Sequence, residues 1–88
     1  MPYIRPEQRK KLDPIIAQLN LYLDTAGDCN YALCKIIDNY IRNVRAEGLS
    51  YESINAAIGI LECAKLELYR RIAAKYEDKK KKMNGDVF

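Results

Sequence analysis

From Ser50 to Asp86 the chain reads as one helical pattern, SYESINAAIGILECAKLELYRRIAAKYEDKKKKMNGD, with no Pro and one interior Gly, Gly59. At about 1.5 Å per residue, a helix from Tyr51 to Lys82 is roughly 48 Å long. The two helical segments before it are each about half that length on the same rule. The second half of this helix is therefore expected to need a partner from outside the chain.

The rest of the sequence supplies two shorter helices and no strand pattern. Residues 1–12, MPYIRPEQRKKL, read as an extended arm followed by a short turn of helix from Pro6. Asp13-Pro14 is a start signal, with Asp as N-cap and Pro at the first helical position, where its missing N–H costs nothing. Ile15, Ile16, Leu19, Tyr22 and Leu23 then form an apolar stripe, predicting a helix over 13–24. Asp28 is expected to cap a second helix, 28–47, striped by Tyr31, Cys34, Ile37, Ile41 and Val44 and widened by Leu33, Ile36 and Tyr40. Gly48 is a stop, Ser50 an N-cap, and 51–82 the third helix, followed by a tail over 83–88 that opens with Asn84-Gly85.

Short connections make neighbouring helices antiparallel. The expected fold is an all-α, three-helix antiparallel bundle in a single domain, with a long C-terminal helix and completion by homo-oligomerisation. In the third helix Ile54, Ile58, Leu61, Cys63, Leu66, Leu68 and Ile72 spread over more than one face, with Ala56, Ala57, Ala64, Ala73 and Ala74 between them. Gly costs a helix up to ~1 kcal/mol relative to Ala, so Gly59 is expected where helices approach closely. Ile58, Leu61, Leu68 and Ile72 are the expected oligomer interface.

Size points the same way. Eighty-eight residues make one domain of marginal core, and small domains add stability through oligomers, metals or disulfides. Metal is poorly supported: there is no His, and Cys29, Cys34 and Cys63 lack paired CxxC spacing. An odd cysteine count with no signal peptide predicts reduced thiols and a cytoplasmic location. Cys34 and Cys63, set among apolar residues, are expected to act as small core hydrophobes. No apolar stretch approaches the ~20 residues of a membrane span.

Net charge is +3, and residues 75–88 hold +2 of it, five Lys against Glu77, Asp78 and Asp86. Lys79–Lys82 read as a solvated helix end that favours the C-terminal dipole. A nucleic-acid module would carry a basic stripe along a folded face, so nucleic-acid binding ranks third among the functions weighed.

Enzyme chemistry finds few residues to work with. Nucleophilic catalysis by Cys or Ser needs an adjacent base, and there is no His. Glu62 and Glu67 stand about 140° apart around a helix at ~100° per residue, so they form no carboxylate pair. Glu67 and Arg71 are spaced for an i,i+4 ion pair. The chain is read as non-enzymatic, with no cofactor and no metal.

Aromatics and Arg remain. Seven Tyr with no Trp make the chain Tyr-rich. Tyr31 and Tyr40 are expected in the core or an interface, with hydroxyls at the edge. Tyr69 and Tyr76 fall two α-helical turns apart on one side, with Arg70 and Arg71 between them. A planar base could stack on Tyr while guanidinium groups clamp a phosphate, with help from Asn30 or Tyr31. Tyr and Arg are also favoured anchors of protein interfaces. The leading expectation is a structural or protein-interaction homo-oligomer, with a dimer as default. The alternative is a binding or sequestering protein for an anionic nucleotide.

The segments PYIRPEQRKKLDPI, GDCNYALCKII and INAAIGILECAKLELYRRIAAKYEDKKKKMNGDVF together span nearly the whole chain. They resemble a family of small uncharacterised helical proteins of bacteriophages and prokaryotes, most specifically in ECAKLELYRR, YEDKK and NGDV. The resemblance implies a helical fold and a phage or prokaryotic origin, and it implies no reaction.

Overall fold

Good helix formers, Glu7 to Leu12, follow Pro6, whose fixed φ suits the first helical position. Helix α1 accordingly begins at Pro6 and runs to Asn20 in the computed structural model, which describes residues 2–88. The expected start at Asp13 is corrected: Pro14 lies inside the helix. Propensity along the preceding turn outweighs the donor that Pro14 lacks. Met1, the first residue of the expected arm, lies outside the described residues.

Helix α2 spans Ala26–Asn39. Its N-cap is Thr25, not Asp28. Asp28 is instead the third helical residue of a capping box, in which the Thr25 hydroxyl accepts from the Asp28 N–H at 3.0 Å. In return Asp28 Oδ2 accepts from the N–H of Asp24 at 3.0 Å and of Thr25 at 3.2 Å. The N–H groups of Leu21, Tyr22 and Leu23 bond back to α1 carbonyls, so the corner between the helices is hydrogen-bonded throughout.

Helix α2 closes in a π-turn, Tyr40–Val44, where the Arg45 N–H reaches the Tyr40 carbonyl at 3.1 Å. Gly48, at φ 62°, turns the chain in a conformation that only Gly adopts freely. Ser50 caps α3, Tyr51–Leu68, as its sequence position predicts. Ser50 and Ser53 exchange side-chain and backbone hydrogen bonds of 2.9 and 3.1 Å. A second π-turn, Tyr69–Ala73, joins α3 to α4, Ala74–Asn84. The long helix thus ends at Asn84, two residues beyond the expected limit, with Gly85 at φ 94° as its stop.

Among the described residues the chain is all-helical, with no strand. The three helical segments meet at their ends more than along their sides. Helix α1 buries no residue, and α2 meets the long helix chiefly through the π-turn at Tyr40–Val44. Among the described residues only Ser53 and Ala57 are buried. The radius of gyration is 16.7 Å, against about 12 Å for a compact domain of this length. The longest dimension, 50 Å, matches the length of the long helix.

This open arrangement corrects two sequence expectations within the single chain. Cys29, Cys34 and Cys63 are all exposed, so the latter two are not core groups within one chain. Nothing lies within 4 Å of a Cβ built on Gly59, so no close helix approach explains that residue here. The all-α class and the long C-terminal helix are as expected.

Candidate functional site

Pro2, Tyr3 and Ile4 precede α1 as a short arm, tightened by the Arg9 Nε bond to the Ile4 carbonyl at 3.0 Å. The arm delivers the Tyr3 hydroxyl to the long helix, where it donates to the Glu67 carboxylate. Arg70 Nη2 also donates to Glu67, at 2.6 Å, and to the Tyr3 hydroxyl, at 3.2 Å. Glu67 is the least exposed member, its side chain 23% accessible. Donation from Tyr3 and then the Arg70 charge hold its carboxyl below the usual range.

The segment is π-helical at this point, and that changes which side chains face one another. Tyr69 donates to Glu77 Oε2 at 3.1 Å, across eight residues. In an uninterrupted α-helix, positions seven apart return to within about 20° of one side, whereas eight apart diverge by about 80°. The π-turn adds one residue to the turn, so Glu77 takes the place expected for Tyr76. The hydrogen bond donated to Glu77, and then the Glu77 charge, raise the Tyr69 pKa, because ionising Tyr69 would lose the donor and set two negative charges together. Tyr76 is exposed and carries the Lys80 ammonium 5.6 Å from its ring centre.

The expected anion clamp therefore does not form within one chain. Arg70 is engaged by Glu67 and Tyr3, and Glu67 pairs with Arg70 rather than with the expected Arg71. Arg71 is exposed. Asn30 and Tyr31 lie on α2, where Tyr31 is exposed with Lys35 over its ring, and among the described residues no hydrogen bond links them to Tyr69–Tyr76. Tyr40 is half-buried and its hydroxyl accepts from Arg45 at 3.5 Å. Among the described residues no group of three His, Cys, Asp or Glu side chains comes together to hold a metal ion.

Asn30, Leu33, Cys34, Ile37, Asp38 and Ile41 of α2, with Leu61 of α3, line an apolar groove of about 400 Å³. The four residues expected at an oligomer interface are all exposed: Ile58 at 59%, Leu61 at 42%, Leu68 at 57% and Ile72 at 63%. Leu12, Ile15, Ile16 and Leu19 of α1 are exposed as well. The apolar groups that ordinarily form a core face outward on all three helical segments.

Residues 1–87 match the family model described as a domain of unknown function, DUF6899. The chain belongs to the DUF6899 family. No curated protein and no solved structure matches it. The match takes in both the Tyr3 arm and the Tyr69–Ala73 π-turn, so this DUF6899 chain holds both halves of the Tyr3–Glu67 contact within the family region.

Sequence reasoning missed the contact between Tyr3 and Glu67. The one available signal was an aromatic hydroxyl placed just ahead of the helix-starting Pro6, and it does not name its acceptor. For the DUF6899 chain's π-turns the sequence gives a weak sign after the fact: both begin at Tyr and carry Arg within the turn, YIRNV and YRRIA.

Proposed function

We propose that this DUF6899 chain is a non-enzymatic helical interaction module that works as a homo-oligomer, with the dimer as its default state. The observation that carries this is exposed area. The chain presents 7911 Å² to solvent, whereas a folded monomer of 10.2 kDa presents about 5,300 Å². The surplus, about 2,600 Å² per chain, exceeds the ~800 Å² that each partner contributes to a standard interface. At 25 cal/mol per Å² its apolar part is far too costly to leave wet.

Two chains joined through this surplus would bury roughly 5,000 Å², in the range of obligate dimers. The interface falls on Ile58, Leu61, Leu68 and Ile72, which continue the exposed stripe of the long helix up to the π-turn. Beyond the turn, Ala74–Asn84 is polar and acts as a solvated extension. A phage or prokaryotic setting, in a reducing cytoplasm, suits a chain whose three cysteines are free.

Light scattering or sedimentation of the purified chain at micromolar concentration tests this reading. A dimer or larger closed assembly is expected, and Leu68→Asp or Ile72→Asp dissociates it. A stable, well-folded monomer at that concentration overturns it.

A further inference from the structure

We propose that, in the assembled protein, α1 of each copy lies in the α2–α3 groove of the other copy, antiparallel to α2, with Lys11 facing Asp38. This placement presupposes the self-association proposed above and adds a second pair of faces beside the long-helix stripe, with Leu61 belonging to both. The groove offers Leu33, Cys34, Ile37 and Ile41 from α2 and Leu61 from α3, with Asp38 on its rim. Helix α1 offers Leu12, Ile15, Ile16 and Leu19, exposed along one side.

The chain's own α1 is held off the groove at both ends. Ahead of it, Tyr3 is fixed to Glu67 and Arg70 on the long helix. Behind it, the hydrogen-bonded corner over Leu21–Thr25 leads directly into the capping box. An apolar helix fixed at both ends can bury its stripe only against something brought to it. The surplus area, about 2,600 Å² per chain by the size scaling, is enough for two reciprocal α1–groove contacts beside the long-helix stripe. A two-fold dimer forms both at once, because each copy supplies one α1 and one groove.

Charge and shape choose the direction. The basic end of α1 is its N-terminal half, Arg9, Lys10 and Lys11, and the groove's acid, Asp38, lies towards the C-terminal end of α2. Among the described residues neither Lys10 nor Lys11 makes an ion pair within the chain, and Asp38, whose Oδ1 accepts from Arg42 at 2.8 Å in an exposed pair, keeps Oδ2 for Lys11. Setting Lys11 opposite Asp38 in an antiparallel register also sets Leu12 opposite Ile37, Ile15 opposite Cys34 and Ile16 opposite Leu33. One offset thus satisfies the charge and three apolar pairs together. Any parallel arrangement carries the basic end to the wrong end of the groove.

Disulfide trapping between two full-length copies tests the placement. A tagged copy carries Ile15→Cys with Cys29→Ser, Cys34→Ser and Cys63→Ser. An untagged copy carries only Cys29→Ser and Cys63→Ser, keeping Cys34. After mixing and mild oxidation, a disulfide joining tagged to untagged chain is expected as the main cross-link, and moving the new cysteine to Glu7 abolishes it. If the mixed cross-link fails while light scattering still reports a dimer, the placement is wrong and self-association stands. If the chains are monomeric, both fail. A chain bearing Ile15→Cys together with Cys34 that closes on itself as a monomer also overturns the placement. As an independent check, Lys11→Glu weakens association by up to about thirtyfold, because the two-fold dimer carries this exposed charge pair twice. Adding Asp38→Lys to the same chain restores it, and failure to restore overturns the register.

Discussion

The Tyr3 hydroxyl donates to the Glu67 carboxylate across a separation of 64 residues, tying the start of the chain to the middle of its longest helix. Arg70 bonds to both partners, so the contact is a three-member network on one turn. Tyr3→Phe removes the donor and leaves the ring. It is expected to lower the melting temperature by a few degrees and to speed amide exchange in the arm and the first turn of α1, with helical content unchanged. Equal exchange protection in the variant would show that the hydroxyl holds nothing in place.

Two backbone substitutions separate the isolated chain from the assembly. Gly59 has open space around its missing Cβ, so Gly59→Ala should stabilise the chain by up to ~1 kcal/mol in denaturant unfolding. If instead it destabilises and weakens association, the second copy approaches the long helix at Gly59. Pro14→Ala restores an N–H inside α1 and removes a ring that crowds the preceding turn. It should raise helical stability, by at most ~3 kcal/mol on the interior-Pro scale. Circular dichroism melts of both variants decide.

Much of the fold was legible because its signals are local. Ser50, Gly48 and Asn84-Gly85 mark their boundaries through side-chain caps and positive φ, properties a few residues carry by themselves. The α1 start was not legible, because Asp13-Pro14 and Pro6 are equally good first-turn signals and only the strength of Glu7–Leu12 as helix decides between them. The Tyr69–Tyr76 alignment was misread for a different reason. Periodicity assumes a constant 3.6 residues per turn, and a π-turn inserts a residue without any Gly or Pro to announce it. Burial at Cys34 and Cys63 was misjudged because an apolar neighbourhood in sequence does not say which chain provides the cover.

Acid should loosen the structure at identifiable points. The N–H groups of Asp24 and Thr25 lower the Asp28 pKa, and Tyr3 followed by Arg70 lowers that of Glu67. A carboxyl depressed in the folded state adds stability that is complete above its unfolded value, about 4 for these groups. That stability is lost as pH falls through the lower folded value. Melting temperature should therefore be flat from neutral pH to about 5 and fall below about 4. In Asp28→Asn, which keeps an acceptor oxygen without the charge, the acid fall should be shallower. An unchanged profile in that variant would remove Asp28 from the account.

The Lys79–Lys82 end and Arg71 test the ligand readings. Replacing all four Lys with Gln should leave folding and assembly nearly unchanged, and the native chain should bind duplex DNA no tighter than the non-specific range, ~10⁻⁴–10⁻⁶ M. A thermal-shift panel of nucleotides and cyclic nucleotides on the wild type and on Arg71→Ala addresses the anion site, since Arg71 leaves the Tyr3–Glu67–Arg70 network intact. A nucleotide that stabilises the wild type and not the variant would establish a phosphate site. No shift with any nucleotide leaves the interaction module as the function.

Three joints hold this chain: the corner at Leu21–Thr25, the turn at Arg45–Ser50, and the Tyr3 contact on the long helix. Mechanically that is a triangle, and a triangle of stiff rods keeps its shape even when its corners are pinned rather than clamped. Within one copy, shape is therefore set by connectivity rather than by filled volume. It also fails differently from a core. Opening any one corner leaves two hinged levers free to swing, so shape is lost in a single step while the helices themselves survive.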